Sequence, residues 1–238
     1  MIETIAVGVG ATDCMRPGGL ALTKIALSRC AFPPGARLLD IGCGAAYTLE
    51  HLIGWDFNAL GIDPSLAALR QGIEKNSSMP LLSAVGEDLP LAPSTFDGVL
   101  AECVLSITRD RDRVLGECRR VLKANGRIIL SDLYATNPGG MNAVHSLPPS
   151  GRLAHILTRD ELLDNLNDHG FQPTFWEDHS PALRAFVAQL VFFYGSAERF
   201  WCRVAQGNGD PANSQKLKEV ITRVKPGYFL LVAQKTER

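Results

Sequence analysis

The 238-residue chain lacks most of what would tie it to a membrane, a polyanion or a metal. Its 24 basic and 25 acidic side chains nearly cancel, so no basic excess argues for nucleic acid or an acidic membrane surface. The longest apolar stretch, near Ala185 to Tyr194, is too short to cross a bilayer and is broken by Gln189. Met1-Ile2-Glu3-Thr4-Ile5 has neither the basic segment nor the continuous apolar core of a signal peptide, and a soluble cytoplasmic protein is the expectation. The six cysteines, at 14, 30, 43, 103, 118 and 202, include no Cys-x-x-Cys and no zinc spacing. In a reducing compartment they read as core residues or reactive thiols rather than disulfides, and no metal site is expected.

What is present is an ordinary globular balance, 46% hydrophobic and 21% charged, in a length that suits one sizeable core with a lid or insertion. The run Arg37-Leu38-Leu39-Asp40-Ile41-Gly42-Cys43-Gly44 reads as a strand ending in an acid and a glycine turn, and a helix follows from Thr48 to Trp55. Ala59 to Ile62 is a second strand, closed by Asp63, and Pro64-Ser65 opens a helix with Leu66, Leu69, Arg70 and Ile73 at helical spacing. Two strands joined by a helix within this span form a βαβ unit and pair in parallel. Further strands are expected at Leu81–Val85, Phe96–Glu102, Arg127–Asp132, Phe171–Trp176 and Gly227–Ala233. A helix carrying Val114, Leu115, Cys118, Val121 and Leu122 on one stripe should end at Asn125-Gly126. Residues 133 to 156 read as a long loop over the strand ends, and Thr158-Arg159-Asp160-Glu161 as a capping box that opens a helix stopped by Gly170. Ser180-Pro181 signals the start of an amphipathic helix, and another should begin near Asp210-Pro211. The expected organisation is one α/β domain over 1–238, with a Rossmann-like doubly wound sheet. Residues 1–31 form a cap or lid, 36–176 the core, 178–226 a helical insertion and 227–233 the last strand.

A glycine turn between strand and helix suits a nucleotide-like ligand, either a dinucleotide or S-adenosylmethionine. The dinucleotide pattern requires a third glycine where this chain has Tyr47. Asp40, just before the turn, would oppose a pyrophosphate and favour the ammonium and sulfonium of S-adenosylmethionine. Asp63, 23 residues on, is placed to accept ribose hydroxyls in either case.

These residues resemble the class I S-adenosylmethionine-dependent methyltransferases, particularly the branch with quinone-biosynthesis C-methyltransferases and arsenite methyltransferases. Leu38 to Gly44 matches that family's cofactor motif, Gly61-Ile62-Asp63 its ribose motif, and Glu87-Asp88-Leu89-Pro90 with Phe96-Asp97 the next signature. Val121 to Arg127 is similar to the segment before its fifth strand. The resemblance covers about residues 36 to 176. It implies a seven-stranded sheet with an antiparallel last strand, S-adenosylmethionine as methyl donor, S-adenosylhomocysteine as product and a small-molecule acceptor; the oligomeric state stays open. The implied cofactor residues are Asp40, Gly42, Cys43, Gly44, Asp63, Pro64, Gly86, Glu87, Glu102 and Cys103. Val85 stands where family members often carry an acid for the adenine amino group, which leaves adenine to backbone groups near Gly86 and Glu87. Ala46 replaces a common third glycine.

Cys103 has two readings: a small apolar residue beside the methionine moiety, or a thiol like the one with which arsenite methyltransferases bind trivalent arsenic. The second requires other thiols to converge on it, with Cys30 and Cys202 as candidates. The loop after the fifth strand has Gly139, Gly140 and Met141 where the arsenite enzymes supply another cysteine. Cys103 and His145 are the catalytic candidates, and Glu102 can accept an ammonium or a substrate proton, or cap a helix. Besides a small-molecule methyltransferase, the alternatives are a thiol-dependent arsenite enzyme using Cys103 and a non-catalytic S-adenosylmethionine-binding protein.

Overall fold

The computed structural model describes residues 16–147, 152–195 and 214–237. The strands are β1 (Arg37–Ile41), β2 (Asn58–Ile62), β3 (Leu81–Leu82), β4 (Phe96–Glu102), β5 (Leu122–Ala135), β6 (Phe171–Asp178) and β7 (Pro226–Lys235). They form one seven-stranded sheet in the order β3-β2-β1-β4-β5-β7-β6. The strands from β3 across to β5 pair in parallel, and the sheet is mixed, with its last strands antiparallel. The α/β doubly wound expectation therefore holds.

The α-helices are α1 (Gly19–Cys30), α2 (Tyr47–Gly54), α3 (Leu66–Lys75), α4 (Arg111–Val121), α5 (Arg159–Asp168), α6 (Ser180–Tyr194) and α7 (Ser214–Val224). Parallel pairing fixes the chain reversal at each crossover, so β1, β2, β4 and β5 release their carboxyl ends along one edge. The register confirms this: Asp40 lies beside Gly61 on one side and Leu100 on the other, and Glu102 beside Ser131. Because the central strands are covered on both faces, they read as nearly unbroken apolar runs, and Leu38, Leu39, Val99, Leu100, Ile128 and Ile129 are fully buried.

Several boundaries differ from expectation. The helix expected to reach Asn125 ends at Val121, since Leu122 is already paired with Phe96 and Asn125 turns with φ 59°. The third strand shrinks to two residues, because Val85 turns back to bridge Asp88. Of the apolar positions on α3, Leu69 is buried while Leu66 and Ile73 are exposed. His179, not Ser180, occupies the N-cap of α6, and the Ser180 hydroxyl instead donates to Asp178. The capping box of α5 is present, with the Glu161 amide donating to the Thr158 hydroxyl at 3.3 Å and the Thr158 amide donating to the Glu161 carboxylate at 2.8 Å. The helix start expected at Asp210-Pro211 lies outside the described residues.

The chain gathers into two compact units. One comprises Leu20–Asp132, Leu163–Glu177 and Leu230–Arg238 and carries the carboxyl edge of the central strands. The other comprises the residues before Leu20 with Leu133–Leu162 and Asp178–Phe229, and has a core of its own. There α7 presents Leu217, Val220 and Val224, at i, i+3 and i+7, to Ala135, Val144, Leu153 and Ile156.

The segment expected as a plain loop from 133 to 156 thus contains two 3-10 helices, Pro138–Ser146 and Arg152–His155. Gly140 is required there because a Cβ would lie 2.3 Å from the Arg223 carbonyl oxygen, a backbone atom that accepts from the Asn137 side-chain Nδ2 at 2.6 Å. Gly140→Ala should accordingly destabilise the protein by about 1 to 3 kcal/mol in chemical denaturation, the usual range for overpacking. An unchanged midpoint would contradict this packing.

Candidate functional site

The carboxyl edge begins with the glycine turn. Gly42, Gly44 and Ala46 all have positive φ, 73°, 54° and 64°, so the backbone coils left-handed between β1 and α2. A Cβ on Gly42 would lie 2.6 Å from Val104 Cγ2, so side chain and backbone interlock there; around Gly44 the corresponding space is open within 4 Å. Ala46 accepts a left-handed conformation that glycine would adopt without strain.

The amides of this turn are committed inside the protein. Those of Gly42 and Cys43 donate to the Ile62 carbonyl at 2.8 and 3.0 Å, and that of Gly44 donates to Asp63 Oδ2 at 2.9 Å. The other Asp63 oxygen accepts from the Ser65 amide at 2.8 Å, and Ser65 then caps α3 by accepting from the Ala68 amide at 3.2 Å. One carboxylate at the end of β2 therefore fixes both the glycine turn and the start of the next helix. Pro64 lies between the two anchored amides, where a missing N–H costs nothing.

The field at the turn is negative. Burial pushes the Cys43 thiol far above its ordinary range, and the nearby Asp40 and Asp63 carboxylates push it further. Cys43 is thus a protonated packing residue: its sulfur occupies the space over Gly61, 2.8 Å from where a Cβ would stand. Asp40 is buried at 3% exposure within β1.

Farther along the edge, Gly86 and Glu87 follow β3. The Glu87 Oε1 accepts from the Arg109 amide at 2.9 Å, and the Leu89 amide donates to Glu117 at 2.7 Å. Arg120 donates to Glu117 and to the carbonyls of Leu89 and Leu91 at 2.8 and 2.7 Å, which clamps the Glu87–Leu91 loop to α4. At the opposite, amino edge of the sheet, Lys123 and the Arg37 amide hold Asp97, both at 2.8 Å. These contacts account for the spacing of the acidic signature and of Phe96-Asp97.

Glu102 and Cys103 end β4. The Cys103 backbone is left-handed, φ 60°, and its amide donates to the Ser131 carbonyl at 2.7 Å. Glu102 Oε1 accepts from the hydroxyl of Thr23, a fully buried residue of α1, at 3.0 Å. On β5, Asp132 Oδ2 accepts from the Ser106 amide at 2.9 Å. The Thr23 contact spans 79 residues of sequence and carries no periodic signal, so sequence reasoning missed it.

The convergence of thiols on Cys103 that the arsenite reading requires is not found for Cys30, and Cys14 lies outside the described residues. Burial pushes the Cys30 thiol up to about 12, and Phe32, two residues past the end of α1, packs on Gly98 at the opposite end of β4. Gly98 and Glu102 are about 13 Å apart along the strand, so α1 delivers Cys30 to the wrong edge. Cys118 is buried in α4 with its thiol raised to about 12, and Cys202 lies outside the described residues. His145 falls in the 3-10 helix Pro138–Ser146, and its side chain is not among those described. Among the described residues no cluster of histidine, cysteine and carboxylate side chains could hold a metal ion.

Residues 39–130 match the family model described as "Methyltransferase domain". An arsenite methyltransferase of Halobacterium salinarum is 30% identical over 152 residues, 60% of this chain and 39% of that protein. A demethylmenaquinone methyltransferase of Streptomyces avermitilis is 25% identical over 166 residues, 61% of this chain and 72% of that protein. Among solved structures the cyclase SpnF superposes with TM-score 0.66 at 26% identity, over 91% of this chain and 80% of that one. The chain spans less than half the length of the arsenite methyltransferases it matches.

The clamp on the Glu87–Leu91 loop gives a pH test. The Arg120 hydrogen bond holds the Glu117 carboxyl below its ordinary range, against the opposing effect of burial. A depressed folded-state value contributes stability that is present above the unfolded value and lost as pH falls through the folded one. Thermal denaturation should therefore show a larger loss between about pH 5 and pH 3 for the native chain than for Glu117→Gln. Parallel curves would contradict the clamp.

Proposed function

We propose, for a chain whose residues 39–130 belong to the class I S-adenosylmethionine-dependent methyltransferases, that it transfers a methyl group from S-adenosylmethionine to a small-molecule acceptor. The observation that carries this reading is the commitment of the Gly42, Cys43 and Gly44 amides to Ile62 and Asp63. A pyrophosphate is held by backbone amides that point at it. Here those amides point into the β2 end, and the surrounding charge is that of Asp40 and Asp63. Such a turn suits a cationic ligand.

The residues fit the cofactor. The open space at Gly44 admits a ligand against the backbone, while the Val104 side chain closes the space at Gly42. Asp63 retains lone pairs on both oxygens for ribose hydroxyls, and Asp40 supplies the negative charge for an ammonium and a sulfonium. Pro64, Gly86 and Glu87 line the adenosine side, with Val85 in place of an acid. S-adenosylmethionine, when bound, supplies a methyl group already activated by its sulfonium. The chain's own contribution is alignment, worth on the order of several kcal/mol, and it needs no nucleophilic triad. A likeness to a cyclase means that the fold alone does not specify methyl transfer, and the turn is the feature that supports it.

Titration calorimetry separates the cofactors. S-adenosylmethionine and S-adenosylhomocysteine should bind and NAD should not; NAD binding alone would overturn the reading. Asp63→Ala should weaken S-adenosylhomocysteine at least about tenfold, because one side chain anchors both turn and ribose. Release of labelled methyl into a product, absent from a non-catalytic binding protein, tests the transfer itself.

A further inference from the structure

The geometry points to Glu102 as the group that takes the proton from the methyl acceptor, with Thr23 as its positioning residue, so that the acceptor class is a nucleophile bearing N–H, O–H or S–H. This rests on the methyltransferase reading. It differs from the expectation that Glu102 belongs to the cofactor.

The order of strands sets the direction of the ligand. If ribose meets Asp63 at the β2 tip and the methionine end meets Asp40 at the β1 tip, the ligand runs from β2 towards β4. Register then puts Glu102 one step beyond the Ile41–Ala101 pair, on the side of the turn away from Asp63. That is the reacting end. The neighbouring carboxylates hold the backbone in place: Asp63 binds two amides, Glu87 the Arg109 amide and Asp132 the Ser106 amide. Glu102 accepts a side-chain hydroxyl from a separate helix.

That helix is aimed to do so. Gly98 and Glu102 share one face of β4, and α1 descends this face from Thr23 at the carboxyl edge to an end near Gly98, where the Phe32 ring fills the space a Cβ would need. The hydroxyl donated to the Glu102 carboxylate fixes its rotamer. Cys103 cannot swing the strand end away, because its amide is bonded to Ser131. Cys43, also at the turn, is a protonated thiol packed over Gly61.

The step balances. As the acceptor atom forms its bond to the methyl carbon, the carbon–sulfur bond breaks with its electron pair on sulfur, giving S-adenosylhomocysteine. The acceptor's proton passes to the Glu102 carboxylate and then to water. An acceptor without a transferable proton, such as a tertiary amine or a thioether, gains nothing from this group.

The test uses the full chain with labelled S-adenosylmethionine and three probes, a catechol, a primary alkylamine and a small thiol. The native protein should methylate at least one, with a rate that falls on acidification. Glu102→Gln should lower kcat about 100-fold and abolish the acid limb, the usual effect of removing a general base. Thr23→Val should lower kcat about tenfold with KM little changed, and Thr23→Ser, which keeps the hydroxyl, should restore it. Calorimetric affinity for S-adenosylhomocysteine should stay within about twofold in all three variants. A Glu102→Gln protein with native kcat and pH profile overturns the inference, as does a loss of S-adenosylhomocysteine affinity, which would return Glu102 to the cofactor. Failure of the native protein to methylate any probe while binding the cofactor also overturns it. Failure to bind the cofactor at all overturns the methyltransferase reading instead.

Discussion

The Asp63 carboxylate and the Ile62 carbonyl beside it set the geometry of the whole edge. Two adjacent acceptors at the end of β2 receive the amides of Gly42, Cys43, Gly44 and Ser65, so the turn after β1 and the helix after β2 are built on the same few atoms. The consequences run in both directions. Left-handed backbone at Gly42, Gly44 and Ala46 is sustained because these bonds overdetermine it. Commitment of the amides removes the anion-binding surface that a glycine turn would otherwise present, and the acids leave a field that suits a cation.

Around this point the remaining loops are held by polar clamps from the helix layer. Glu117 and Arg120 of α4 fix the Glu87–Leu91 loop, and Thr23 of α1 reaches Glu102. Each pairs a group on a loop or strand end with one on a neighbouring element, so the edge is rigid where a ligand would lie without any one loop being rigid in itself. The second unit depends on different physics. Its 3-10 segments and α7 cohere by apolar packing around Leu217, Val220 and Val224 and by the close passage of Gly140 against Arg223.

Much of this was legible in the sequence, for identifiable reasons. Strands buried on both faces leave unbroken apolar runs, so β1, β2 and β4 were readable to within a residue, and the stripe on α4 was readable from Val114 to Val121. The Asp40, Gly42, Gly44 and Asp63 pattern is local, a chain reversal closed by hydrogen bonds between neighbouring strand ends. What was not legible is long-range. Leu122 looked helical by spacing and is a strand residue because Phe96 pairs with it. Residues 133 to 156 looked like loop by composition, and their glycine and proline content instead permits 3-10 turns and a close approach to α7. Cys30 seemed able to reach Cys103, until the descent of α1 carried it to the other end of the sheet. The bond from Thr23 to Glu102 depends on that same descent, which no local pattern encodes.

The central claim is that the turn after β1 receives the cation of S-adenosylmethionine while its own amides stay bonded within the protein. A crystal structure of the full chain grown with S-adenosylhomocysteine tests it most directly. The account predicts ribose hydroxyls on Asp63, the methionine end beside Asp40, and Gly42, Cys43 and Gly44 still donating to Ile62 and Asp63. A ligand phosphate or carboxylate bound to freed amides of that turn would contradict it.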